Sequence, residues 1–279
     1  MSKLKMQSFP EKAAVIKSES ERKELQYVGE GATFLLVILA GAIFFYVGAE
    51  VAIGSILVVY LKDKDLIKLG ANASASLTVE KAASSLVAYY WGSAMIGRFI
   101  GSAIGQKVKA EVMLRVVALI AIVLVGLSMS GIFLNDWMNL KVLILNPDPF
   151  YLGLETVTFP ISIFLLVLVG LFNSVMWPCI FPLAINGLGK HTSQGSGIVV
   201  MMVVGGALIP LLQGWLASPN LLDYQYSFIV VVACYAYILF FAVKGFINQN
   251  EIKDQKNNSG SLNTSSASKS KNALASNEA

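Results

Sequence analysis

Charge is scarce in this sequence: Asp, Glu, Lys and Arg make up 14% of its 279 residues, against about 25% in a typical soluble domain. Histidine occurs once and cysteine twice. These absences exclude whole classes of protein. One His and two Cys do not supply a Cys/His zinc site or a disulfide framework. Cys179 and Cys234 stand in separate apolar runs with no CxxC spacing, and both are expected as buried thiols. A net charge of +4 is too small for a nucleic-acid-binding surface. An apolar share of 56% rules out a disordered chain and an ordinary cytosolic enzyme. No Ser/His/Asp or HExxH arrangement is present. Gly189-Lys190-His191-Thr192 has the look of a phosphate loop, but Thr does not follow Lys directly and Ala184 stands where the first Gly belongs. His191 is expected in a solvated turn. No enzyme activity, metal or cofactor is expected.

What the sequence has instead is long apolar runs. A bilayer core needs about 20 mainly apolar residues per helix. Six runs qualify: Thr33 to Leu61, Ser85 to Gly105, Val112 to Leu134, about Thr158 to Leu188, Gly195 to Leu216, and Ser227 to Ile247. The expectation is an all-α integral membrane bundle of six spans over 33–247. Residues 1–32 are charged and lack the apolar core of a signal peptide; residues 248–279 are rich in Ser, Asn and Lys, and read as a disordered tail. Six spans put both termini on one side. With the termini inside, 16 of the 21 Lys and Arg fall on the inner side, so the positive-inside rule places both termini in the cytoplasm of a cell inner (plasma) membrane.

Polar groups at membrane depth are the candidate site. Glu50 lies about three residues from the midpoint of the first run. A carboxylate there costs about 2.5–3.5 kcal/mol on insertion scales, and a short side chain cannot snorkel out. Glu50 is therefore expected to face a wet cavity as a sugar ligand, a cation ligand or a proton carrier. Tyr46, one turn earlier, shares its face. Trp91, Met95 and Arg98 share a face of the second run, and Gly97, Arg98 and Gly101 form a glycine-flanked basic motif near its cytoplasmic end. In the fourth run Asn173 and Trp177 are four apart: an amide suits sugar hydroxyls, and an indole covers the apolar face of a pyranose. Pro178 and Pro182 should bend that helix, as bent spans do at transporter cavities. Gln213, near the outer end of the fifth run, is the last candidate.

These residues carry a likeness. Phe44-Phe45-Tyr46-Val47-Gly48-Ala49-Glu50-Val51-Ala52-Ile53-Gly54-Ser55 resembles the seventh span of the fucose/galactose/glucose symporter family of the major facilitator superfamily. Tyr90 to Arg98 is similar to its eighth span, and Gly170 to Gly197 to its tenth span and following turn. The stretch from Gly205-Gly206 to Gln213-Gly214 is similar to its eleventh. The resemblance covers about Thr33 to Ile247, with the glucose/galactose transporters as the nearest branch. It implies hexose transport by alternating access, coupled to H⁺ or Na⁺, with the first, second, fourth and fifth runs facing the central cavity. It also implies that Trp177, just before Pro178, faces the sugar. The chain matches only the second six-span bundle, as two three-span repeats packed as an inverted pair. A second cavity wall then comes from a separate N-terminal half or from a second copy. The alternative is a transport-inactive remnant or a partner-binding membrane module. Membrane lipid is the remaining expected partner.

Overall fold

The computed structural model describes residues 40–70, 77–147, 150–185, 192–218 and 221–245. The N-terminal segment, the start of the first run, Lys190, His191 and the C-terminal tail lie outside the described residues.

Among the described residues six helices and three strands follow one another as α1 (Ala40–Asp63), β1 (Lys68–Leu69), α2 (Val79–Gly105), α3 (Ala110–Met129), β2 (Trp137–Pro147), β3 (Phe150–Pro160), α4 (Ile161–Ile185), α5 (Thr192–Leu216) and α6 (Tyr224–Val243). Five of the helices, all but α2, are long and apolar enough to cross a membrane. With 27 residues, α2 has the length. Its first two turns carry Glu80, Lys81, Ser84 and Ser85, which dilute its apolar character. Those turns lead to Tyr89, whose hydroxyl accepts a hydrogen bond from the Leu143 backbone N–H on β2 at 3.2 Å.

The expectation of an all-helical chain fails between α3 and α4. Residues 137–160 form an antiparallel hairpin whose register runs from Trp137 opposite Pro160 to Pro147 opposite Phe150. β1, in the α1–α2 connection, adds a third strand in the order β1-β3-β2. The reason is a period-two pattern. Val142, Val157 and Phe159 point inward and are fully buried, while Trp137, Leu143 and Leu154 point outward. Lys68 Nζ sits 3.9 Å from the centroid of the Trp137 ring. The sheet thus ties the α1–α2 connection to the α3–α4 connection at one end of the bundle. It also shortens two expected spans: α3 stops at Met129, followed by Gly131 at φ +74°, and α4 begins only after Pro160.

At the heart of the bundle, α4 packs between α2 and α3. The α2–α4 contact is close because Gly97 faces the Leu171 carbonyl and Gly101 faces Val175. The α1–α5 contact is built the same way, with Gly205 against the Phe44 carbonyl and Gly48 against Ile209. Just before Gly205, α5 tightens into a 3₁₀ turn at Met202–Val204. α6 lies on α1 through Tyr60–Phe228 and Phe45–Tyr237 ring contacts. It also meets α3, where Arg115 Nε donates to the Ala242 carbonyl at 2.8 Å.

Candidate functional site

A cavity of about 710 Å³ opens between α1, α2, α4 and α5, and reaches the start of α3. Ligand sites commonly measure about 300–1,000 Å³. Tyr46 and Glu50 line it from α1, Arg98, Gly101 and Ser102 from α2, Ser174, Trp177 and Pro178 from α4, and Val203 from α5. The four-residue spacing of Tyr46 and Glu50 brings both to the same wall. Glu50 is 8% exposed, and its carboxyl interacts with the Tyr46 hydroxyl and with Arg98. Its Oε1 accepts no hydrogen bond among the described residues. A buried carboxylate oxygen facing a cavity without a donor is costly to leave unmet, and a ligand hydroxyl or a proton meets that need. The Trp177 indole stacks on Phe181 at 5.9 Å and 14° and approaches the Tyr46 ring at 6.2 Å. The wall therefore brings a carboxyl, a guanidinium, the Ser102 and Tyr46 hydroxyls and an indole around one space, while the buried Ser174 hydroxyl donates to the Leu171 carbonyl at 3.0 Å. That mix suits a small polyhydroxylated ligand.

Not every expected residue reaches this space. Asn173 is fully buried behind the wall, bonded on both sides of its amide by Tyr235 and Tyr90. Trp91 is 43% exposed on the outward face of α2 and is not part of the lining. Gln213 is fully buried; its Nε2 donates to Ser227 Oγ at 3.2 Å, away from the cavity. Within the glycine-flanked motif, Gly97 and Gly101 pack against α4 while Arg98 turns into the cavity. Sequence reasoning passed over Ser102, Ser174, Tyr90 and Tyr235. Ser102 was legible, four residues beyond Arg98 on the same face. The tyrosines were not, because their partners lie 62 and 83 residues away.

No family model matches the chain. It is 39% identical over 210 residues to a glucose/galactose transporter of Brucella abortus, covering 75% of this chain and 42% of that one. A putative glucose/galactose transporter of Helicobacter pylori is 41% identical over 209 residues, with 73% and 42% covered. An L-fucose-proton symporter of Haemophilus influenzae is 29% identical over 153 residues, 53% of this chain and 29% of that one. Among solved structures, the major facilitator superfamily transporter FucP in its outward conformation shares the fold at a TM-score of 0.55. It is 23% identical over 75% of this chain and 41% of that chain. The chain thus spans about two fifths of the length of the glucose/galactose transporters and of FucP, and less of the fucose symporter; these relatives are transporters and not enzymes. Over three quarters of its own length the chain is a homologue of the glucose/galactose transporters, and its helices share the major facilitator fold.

Proposed function

We propose that this chain is a six-span bundle of a hexose transporter that binds glucose- or galactose-type sugar in its cavity and moves it with H⁺ or Na⁺ by alternating access. The observation that carries this reading is the cavity wall, where Glu50, Tyr46, Arg98 and Trp177 converge from three helices. In this reading Glu50 carries the coupling cation and joins Tyr46 and Trp177 in holding the sugar, Trp177 packing on its apolar face. Trp91 and the exposed faces of α2 and α5, with Met95, Phe99, Leu211 and Trp215 outward, stand where a second bundle or lipid would cover them. All six helices span the membrane in this reading, with cytoplasmic termini as the Lys/Arg distribution favours. Gly97, Arg98 and Gly101 then sit toward the inner opening.

The packing supports an inverted pair of three-helix repeats. If α1 to α3 correspond to α4 to α6, the α2–α4 contact corresponds to α5–α1. Both crossings rest on glycines facing a main-chain carbonyl. The α3–α4 contact likewise corresponds to α6–α1.

A thiol introduced by Ser102→Cys, with Cys179 and Cys234 replaced by Ser, tests the reading in membranes. D-glucose or D-galactose should slow its alkylation by a maleimide, and L-glucose should not. Equal rates with and without D-hexose would refute a hexose site in this cavity.

A further inference from the structure

Behind the cavity, three side chains form one hydrogen-bonded chain across four helices. Tyr235 Oη on α6 donates to Asn173 Oδ1 on α4 at 2.8 Å. Asn173 Nδ2 donates to Tyr90 Oη on α2 at 3.0 Å. Tyr90 Oη donates to the Glu50 main-chain carbonyl on α1 at 3.0 Å. None of the three side-chain residues is more than 1% exposed. We propose that Tyr235, Asn173 and Tyr90 are positioning residues for Glu50, fixing the α1 turn that carries it against the α4 turn that carries Trp177. The proposal rests on the reading of Glu50 given above.

The chain has one polarity. A tyrosine hydroxyl has a single hydrogen. Tyr90 spends its hydrogen on the Glu50 carbonyl, so it must accept from an amide nitrogen. Asn173 then presents its oxygen to Tyr235, which must donate. Removing one member strands a buried partner, so the chain is kept or lost as a unit. Its ends lie where position matters. Asn173 is one turn before Trp177, and Glu50 is one turn after Tyr46. The Tyr46–Trp177 ring contact and the Glu50–Tyr90–Asn173 link thus register α1 against α4 at adjacent turns. Tyr235 contributes nothing to the cavity lining, so its effect on a ligand passes through this chain. The charged and titratable groups around Glu50 are Tyr46 on its own helix, Arg98 and Tyr90 on α2, and Tyr235 on α6. α4 adds the neutral Asn173 and the Cys179 thiol, and α5 carries no charged residue.

The test measures the D-glucose concentration that half-protects the Ser102→Cys thiol, from about pH 5 to pH 8, the range in which a coupling carboxyl is read. Glu50→Gln should flatten the pH profile. Tyr235→Phe and Tyr90→Phe should each raise the half-protecting concentration about fivefold or more and flatten the profile in part. Tyr60→Phe, which removes a buried hydroxyl outside the chain, should do neither. Should Tyr90→Phe fail to insert, Asn173→Asp probes the same link. It keeps the volume but replaces the donating nitrogen with an oxygen, and the same shift is expected. Wild-type profiles in the tyrosine and Asn173 variants, alongside a flattened Glu50→Gln profile, would overturn the positioning role and leave the hexose site standing. An unchanged Glu50→Gln profile would instead remove the role of Glu50, and the proposal with it.

Discussion

Replacing Gly97 by Ala tests how the cavity is held open. The added methyl carbon would press on the Leu171 carbonyl oxygen and the Ser174 hydroxyl, and would stand 2.8 Å from the Leu171 carbonyl carbon. Unstrained carbon contacts lie at about 3.5–4.0 Å, so the two helices must separate by roughly 1 Å. The Leu171 atoms are main chain and cannot rotate away, whatever the Ser174 side chain does. Overpacking of this kind costs about 1–3 kcal/mol, which lowers the unfolding temperature of a domain this size by about 2–10 °C. The displacement also moves Arg98, the next residue. Gly92, five residues earlier on the same helix, is the internal control: a Cβ there meets nothing within 4 Å. Gly92→Ala should be neutral or stabilising by up to about 1 kcal/mol, because alanine loses less backbone freedom in a helix. Thermal unfolding of the two variants in the same detergent decides the matter. A Gly97→Ala protein as stable as wild type, or a Gly92→Ala protein that loses as much, would refute the described α2–α4 crossing.

Two further outcomes follow from the geometry. Trp177→Ala should raise the half-protecting hexose concentration about 2- to 10-fold, the worth of one aromatic contact, and Trp177→Phe should raise it less; an unaltered value for Trp177→Ala would count against sugar packing on the indole. At the α1 and α6 ends, Lys64 Nζ meets Asp223 Oδ2 at 2.6 Å, and this bond holds the Lys64 pKa above its ordinary value of 10.5. A raised lysine pKa stabilises the folded state below the ordinary value, and that contribution is lost as pH climbs through the folded value. The stability gap between wild type and Asp223→Asn should therefore be at most about 1 kcal/mol at neutral pH. It should close above about pH 10.5 and in about 1 M salt; a gap that persists under both conditions would show that Asp223 acts by some other route.

Much of the helical frame was legible because a span announces itself by length and hydropathy alone. Five runs proved long and apolar enough, and a helix covers the sixth. The hairpin was not legible by the same logic. Residues 137–157 fall between the third and fourth apolar runs and 158–160 at the start of the fourth, although Val142, Val157 and Phe159 alternate with outward residues as a half-buried strand requires. Within the site, Glu50 and Tyr46 follow from one rule: a carboxyl at membrane depth needs a wet neighbour, and i+4 shares its face. The same rule joined Asn173 to Trp177, yet only Trp177 reaches the cavity. Four residues differ by about 40° around a helix and 6 Å along it, enough to put one side chain on the wall and the other behind it. Trp91 and Arg98 divide in the same way. The role of Asn173 depends on Tyr90 and Tyr235, and that dependence arises only when four helices meet.

The most direct test of the account is uptake of labelled glucose and galactose by cells that lack their own hexose carriers. One set expresses this chain with a complementary six-span bundle, another the chain alone, each as wild type and as Glu50→Gln. The account predicts saturable uptake of one hexose, inhibited by the other, with accumulation lost in Glu50→Gln while membrane insertion is unchanged. Absence of uptake in every combination, with insertion confirmed and an intact carrier working as control, would contradict it.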